Sequence, residues 1–189
     1  ACSIGGNVNE NSGGVHCLKY GLTLHNVLRV RGVLMNGEIV EFGSLAPDSP
    51  GLDLLAIVMG SEGMLAVITE VTVKLVAKPK LARVIMASFD DIEKGADAVA
   101  AIIAAGIIPA GLEMMDKATT RAVEEFVHAG YDLEAETILL CESDGTPEEV
   151  AEEIPVIVPA EDTTPVEVAE TKSGKFRQRS AACVIHWFL

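Results

Sequence analysis

Residues 83–115 read RVIMASFDDIEKGADAVAAIIAAGIIPAGLEMM, and this stretch decides what kind of fold the chain can adopt. Arg83 to Phe89 is rich in branched and apolar residues and bounded by Asp90-Asp91, which suits a strand. Ile92, Val99, Ile102 and Ile103 then share one face of a helix that stops near Gly106. Gly111 to Met115 returns to strand. The alternation continues with a helix over Ala118 to Ala129 stopped by Gly130, a third strand over Thr137 to Glu142, and a further helix opened by Pro147. Proline suits the first helical position because its missing N–H would lack an intrahelical acceptor there anyway. A β-α-β-α-β-α series with one helical layer predicts an α+β sandwich of ferredoxin-like type.

Towards the N-terminus, Ala77-Lys78-Pro79-Lys80 reads as a linker. Ahead of it, Leu65, Val67, Thr69, Val71, Val73 and Leu75 alternate with Glu70, Thr72 and Lys74, predicting a strand whose odd positions are buried. Leu52 to Met59 reads as a short buried helix ending at Gly60, and Pro47 and Pro50 bracket a loop. Val27 to Phe42 holds two β-rich runs around Asn36-Gly37, the pair favoured in type I′ hairpins. Residues 1–26 are glycine-rich and nearly uncharged. Towards the C-terminus, the order is lost from Pro155: Pro155, Pro159 and Pro165 interrupt it, Lys172 to Arg179 is basic, and Val184 to Leu189 is apolar. The chain therefore divides into segments 1–78 and 79–154 and an atypical tail, 155–189, expected to be unstructured.

The composition excludes several functions. Of the 189 residues 49% are apolar and 22% charged, a globular rather than disordered profile. A net charge of −14 argues against nucleic acid, whose phosphates need clustered Lys and Arg. Cys2, Cys17, Cys141 and Cys183 show no CxxC or metal-ligand spacing and are read as reduced thiols. No apolar run reaches the roughly 18 residues of a membrane span. A chain opening on Ala1 inside a Gly/Asn-rich segment is expected to be a piece of a longer protein.

Two stretches could carry chemistry. Ser3-Ile4-Gly5-Gly6-Asn7 and Ser12-Gly13-Gly14 offer backbone N–H groups and small polar side chains in a concave loop, which suits a phosphate or the polar edge of a flavin. The alternative is a turn-rich connector. Gly60-Ser61-Glu62-Gly63-Met64-Leu65 would let a planar ligand approach the backbone closely, or would simply be a helix cap and a tight turn. No GxGxxG lies between a strand and a helix, so a Rossmann site is not supported. His16, His25, His128 and His186 are scattered and read as structural, and Glu113 and Asp116 as capping or packing residues.

Cys2-Ser3-Ile4-Gly5-Gly6-Asn7 and Asn11-Ser12-Gly13-Gly14-Val15-His16-Cys17-Leu18-Lys19-Tyr20-Gly21 resemble the second half of the FAD domain in the vanillyl-alcohol-oxidase-type flavoproteins. Gly60 to Glu70 is similar to a second element of the same domain. His16 to Gly21 narrows the resemblance to glycolate oxidase catalytic subunits over D-lactate and D-2-hydroxyglutarate dehydrogenases within the FAD-linked oxidases. Gly106-Ile107-Ile108-Pro109 and Leu112-Glu113-Met114-Met115-Asp116 resemble the start of the substrate-cap domain, and the likeness runs to about residue 153. It implies the second half of an FAD-binding domain followed by part of a ferredoxin-like α/β cap, with FAD as cofactor. A small D-2-hydroxy acid, glycolate or D-lactate, would be oxidised to the 2-oxo acid. Ser3, Gly5, Gly6, Asn7, Gly13 and Gly14 would line the pyrophosphate and flavin with Tyr20 and Gly21 nearby, and Glu62, Gly63, Val67 and Ile68 would lie by the adenine-ribose or isoalloxazine. Ala66 stands where the family usually has Gly. The resemblance further implies partner subunits, one of them an iron–sulfur subunit, and a cytoplasmic location peripheral to the inner membrane. The family's first FAD half-domain and its later cap with a His-rich motif would lie outside these residues, so the chain alone is expected to be inactive.

Overall fold

The computed structural model describes residues 2–46, 51–157 and 166–171. In chain order the elements are α1 (Ile4–Glu10), α2 (Cys17–Tyr20), α3 (Thr23–Asn26), β1 (Val27–Val33), β2 (Ile39–Gly43), α4 (Leu54–Val58), β3 (Val67–Val73), β4 (Leu81–Phe89), α5 (Ile92–Ala104), β5 (Gly111–Asp116), α6 (Lys117–Val127), β6 (Thr137–Gly145), α7 (Pro147–Ile157) and β7 (Val166–Thr171). They form two compact units. Among the described residues, the first holds those of 2–14 and 20–77; the second holds those from 78 to 171 and also Val15–Lys19.

In the first unit β1 lies between β2 and β3, antiparallel to both. The β1–β2 hairpin forms around Asn36-Gly37, but not through the expected type I′ turn. Gly37 N–H donates to Leu34 O, Leu34 N–H donates to Glu38 O, and Gly37 has φ +84° while Asn36 stays at negative φ. That is a three-residue loop closed by a left-handed glycine. The Asn36 side chain accepts from Glu38 N–H at 3.0 Å, a local bond that fixes this alternative. Val8 of α1, Val27 and Val30 of β1, and Leu55 and Val58 of α4 form the core with Met59, and Ile68, Val71 and Val73 pack on it.

The buried face of β3 is not the odd one throughout. Register passes from Arg31 opposite Glu70 to Gly32 opposite Ile68, leaving Thr69 as an extra residue. This bulge switches parity. Val71 and Val73 face inward as expected, whereas Ala66 and Ile68 replace Leu65 and Val67 on the inner face, and Val67 is 67% exposed. Leu75 lies beyond the strand and is 92% exposed.

The second unit is a four-stranded antiparallel sheet in the order β5-β6-β4-β7. β4-α5-β5 is a split β-α-β unit with β6 running antiparallel between its strands, the ferredoxin-like arrangement. The single helical layer does not hold, however. Ile85, Ala87, Phe89, Leu139 and Cys141 point to one face, where Val99 and Ile102 of α5 and Ile154 and Ile157 of α7 cover them. Met86, Met115, Ile138 and Leu140 point to the other, where Val123 and Val127 of α6 cover them. Because strand residues alternate, both sheet faces are apolar and each needs a cover.

The order does not end at Pro155. α7 continues through it to Ile157, burying Val150, and β7 pairs with β4 from Ala82–Thr171 to Ala87–Val166. The tail expected from residue 155 thus contributes a strand to the sheet. Pro159, Pro165, the basic run and the apolar end lie outside the described residues, as does the Pro47–Pro50 loop.

Candidate cofactor site

Ser3, Gly5, Gly6 and Asn7 do not form a loop. Ser3 is the N-cap of α1, its hydroxyl accepting from Gly6 N–H at 3.0 Å, and the other three occupy the first turn. A Cβ on Gly5 would meet nothing within 4 Å, while one on Gly6 would come to 3.2 Å from Ser3 Oγ. At the other end of α1, Asn11 adopts a left-handed conformation (φ 45°), and its side chain accepts from Leu24 N–H at 3.0 Å.

The second motif docks on this helix end. Gly60 N–H donates to Val8 O and Glu62 N–H to Asn9 O, both at 2.9 Å, so two terminal carbonyls of α1 are satisfied by the Gly60–Gly63 turn. Gly60, Glu62 and Gly63 all have positive φ (75°, 54° and 76°). The two motifs, some fifty positions apart in sequence, therefore make one surface within the first unit.

The other expected residues divide. Tyr20 ends α2 and its carbonyl accepts from Asn26 Nδ2 at 2.8 Å. Gly21, at φ 79°, must be glycine, since a Cβ would stand 2.9 Å from His25 Nδ1. Gly13 and Gly14 lie between helices, joined to this region where Thr23 N–H and Oγ1 both donate to Ser12 O. Val67 presents its side chain to solvent at the start of β3, but the Ile68 side chain is packed against the core and offers a ligand only its backbone.

Two side chains carry a signal that sequence reasoning missed. Asn9 Oδ1 and Ser61 Oγ are buried polar atoms without a hydrogen-bond partner. Such atoms cost about 1–3 kcal/mol each if left unpaired, so they call for a donor from outside the chain. Both lie at the α1–turn junction, and exposed Ile4, Met64, Leu65 and Val67 flank the same motifs. Unpaired polar atoms, glycines with open space and exposed apolar side chains fit a large ligand that is part polar and part flat and apolar, as FAD is. The sequence hint was only that Asn9 and Ser61 lie inside the two glycine motifs.

In the second unit a charged cluster gathers around Val15–Lys19. His16 Nε2 lies 3.0 Å from Glu142 Oε2, and Lys19 Nζ donates to Asp144 Oδ1 at 2.7 Å and Asp144 O at 2.6 Å. The hydrogen bond to Glu142 holds the His16 imidazole above its ordinary pKa, aided by the carboxylates of Glu142, Asp144 and Glu113 and opposed by burial. Beneath, burial pushes the Cys141 thiol up to about 12, aided by Glu153 and Glu142. Among the described residues, Cys2, Cys17 and Cys141 carry no disulfide bond. Among the described residues no three metal-ligating side chains cluster, and no helix is long and apolar enough to cross a membrane.

Comparison with known proteins identifies the family. Residues 1–43 match the FAD binding domain family, and residues 78–178 match the C-terminal domain of FAD linked oxidases. Glycolate oxidase subunit GlcD of Escherichia coli (strain K12) is 63% identical over 153 residues, covering 81% of this chain and 31% of that protein. Glycolate oxidase subunit GlcD of Bacillus subtilis (strain 168) is 42% identical over 178 residues, covering 92% and 38%. D-lactate dehydrogenase of Anaerostipes hadrus is 35% identical over 159 residues, covering 80% and 34%. The chain thus spans about a third of the length of the curated relatives it matches. A solved structure of alkyldihydroxyacetonephosphate synthase superposes over 97% of the chain and 36% of its own, with TM-score 0.74 at 19% identity, a likeness of fold. The chain belongs to the FAD-linked oxidase family, carrying part of its FAD-binding domain and part of its C-terminal domain.

Proposed function

We propose that this chain is part of an enzyme that oxidises a small D-2-hydroxy acid, glycolate or D-lactate, to the 2-oxo acid with FAD. The observation that carries the reading is the 63% identity with glycolate oxidase subunit GlcD over 153 residues. When bound, FAD supplies the two-electron acceptor for the substrate α-carbon hydride. The chain's own residues would hold and orient it. Asn9 Oδ1 would accept a hydrogen bond from the cofactor, and Ser61 Oγ would take another. Ser3, Gly5, Gly6, Asn7, Gly13 and Gly14 would follow its phosphate and ribityl part, with Tyr20 and Gly21 beside them. Glu62, Gly63, Val67 and the Ile68 backbone would follow the adenine-ribose or ring side. Electrons would leave to further glycolate oxidase subunits, including an iron–sulfur subunit, in a cytoplasmic assembly peripheral to the inner membrane. The net charge of −14 makes nucleic acid a poor partner.

The test is to purify the protein that carries this chain and record its visible spectrum. Dye reduction with glycolate and D-lactate follows, with Gly6→Val as the control. A colourless protein that neither binds added FAD nor reduces the dye would refute the reading. A second reading, that the 189-residue chain by itself holds no flavin and turns nothing over, is favoured by its span of 31% of GlcD. Flavin retention and dye reduction by the isolated chain would exclude it.

A further inference from the structure

Val15–Lys19 lies between two pairs of cofactor-site residues, Gly13–Gly14 and Tyr20–Gly21, yet it belongs to the second unit. Its placement there follows from strand parity. Along β6, Ser143 points to the α7 side, where its hydroxyl meets Glu153 Oε2 at 2.5 Å. Ile138 and Leu140 point to the opposite face, under α6. Glu142 and Asp144 continue that second face, and Gly111, which pairs with Glu142, continues it on β5. There Val15–Lys19 provides the cover. Val15 sits so close that a Cβ on Gly111 would stand 2.8 Å from Val15 Cγ2. His16 meets Glu142 and Lys19 meets Asp144, two grips one helical turn apart on the segment and one strand repeat apart on β6.

We propose that Glu142 and Asp144 are positioning residues for the cofactor site. By gripping His16 and Lys19 they fix the backbone of Gly13–Gly14 and Tyr20–Gly21, and releasing either grip weakens flavin binding. The proposal rests on the reading above that these glycines line an FAD site. The His16 grip responds to pH, because Glu142 and Asp144 of β6 and Glu113 of β5 face its imidazole. A pKa raised on folding means the grip is complete at pH below the ordinary imidazole value and is lost as pH rises through the raised one. Lys19 meets Asp144 of β6 at 2.7 Å and has Glu149 of α7 nearby.

Three measurements on the 189-residue chain and on the flavin-containing protein that carries it test this. In the chain, the His16 ring is followed by nitrogen-15 NMR against pH. It should titrate above the ordinary value of about 6.5 and fall in Glu142→Gln. Protection of the amides of Gly14, Tyr20 and Gly21 should fall about two- to fivefold in Glu142→Gln, as for a half-exposed ion pair. The drop should be larger in Asp144→Asn and Gly111→Ala, and absent in Glu134→Gln, whose carboxylate lies elsewhere in the same unit. Should Asp144→Asn not fold, Lys19→Met removes the same pair from its more exposed side and Lys19→Arg should restore protection. In the flavin-containing protein, FAD dissociation constants should rise by factors that follow the protection losses. Unchanged protection in all variants, or unchanged FAD affinity despite lost protection, overturns the proposal. Failure of the unmutated protein to bind FAD overturns the cofactor reading instead, while the NMR and exchange results still decide whether the two carboxylates hold the loop.

Discussion

Ala66 shows how a single methyl is accommodated beside the proposed cofactor surface. It is 3% exposed, and it fits because Gly32 packs against it, where a Cβ would stand 3.1 Å from Ala66 Cβ and 3.2 Å from Val67 O. Gly32→Ala should therefore destabilise the first unit by about 1–3 kcal/mol, as overpacking does. Urea unfolding should show Ala66→Gly recovering part of that loss in the double variant. If the two changes are simply additive, the steric account is wrong. Asp144 offers a second test at this scale. Its side chain is 7% exposed and that of Lys19 28%, so neutralising the carboxylate removes the opposite charge beside a partly buried ammonium, which keeps its bond to the Asp144 carbonyl. Asp144→Asn should cost about 1–3 kcal/mol, below the value for a fully buried pair because Lys19 reaches solvent.

At the scale of elements, α6 separates what a sequence pattern can and cannot give. Its existence follows from its periodicity, but its stop does not. Gly130 was the expected terminator, whereas His128 takes the left-handed position at φ 53°, and Glu124 accepts from the N–H groups of Ala129, Gly130 and Tyr131. A carboxylate that satisfies the amides after the helix lets it end two residues before the glycine. Its start is capped by Asp116, whose side chain accepts from Thr119 N–H at 2.7 Å. That backbone bond, joined by a side-chain bond from Thr119, lowers the Asp116 pKa, and burial opposes it only weakly. A carboxyl pKa depressed on folding contributes stability that is present above its unfolded value, about 3.9, and lost as pH falls through the folded one. Thermal melts from pH 5 downward should thus show a shallower acid limb in Asp116→Asn, which keeps the cap but not the charge. An identical limb would show that Asp116 is not among the groups that drive it. β3 teaches the same lesson: its alternation was visible, but the bulge at Thr69 that reverses the inner face is set by pairing with β1.

At the scale of the whole molecule, the chain passes between its units after Gly14, after Lys19 and after Ala77. The last crossing is exposed, with Leu75 at 92% and Val76 at 65%. A broad-specificity protease such as subtilisin should nick within residues 75–78, where trypsin is blocked at Lys78 by Pro79. Since Val15–Lys19 is part of the second unit, the nicked pieces should co-elute on gel filtration and separate in the Asp144→Asn, Glu142→Gln double variant. Pieces that part at once after cleavage would contradict the assignment of that segment.

The alternation over 83–149 determined a ferredoxin-like sheet, because it is a local pattern of side-chain spacing, whereas the FAD-linked oxidase reading came from the resemblance of the glycine motifs and their neighbours to that family. The tertiary structure alone decided that α6 lies on the opposite face from α5 and α7, since periodicity records that a helix has an apolar side but not which sheet face it meets. It alone turned Gly5–Asn7 from loop into helix: Ser3 supplies a cap and the α4–β3 turn supplies donors for the far end, bonds made across some fifty residues. It alone exposed Asn9 Oδ1 and Ser61 Oγ as buried atoms in want of a partner, because burial and pairing are properties of the packed chain. And it alone placed His16 and Lys19 on β6, since more than a hundred residues separate them from Glu142 and Asp144, and no periodicity carries across that distance.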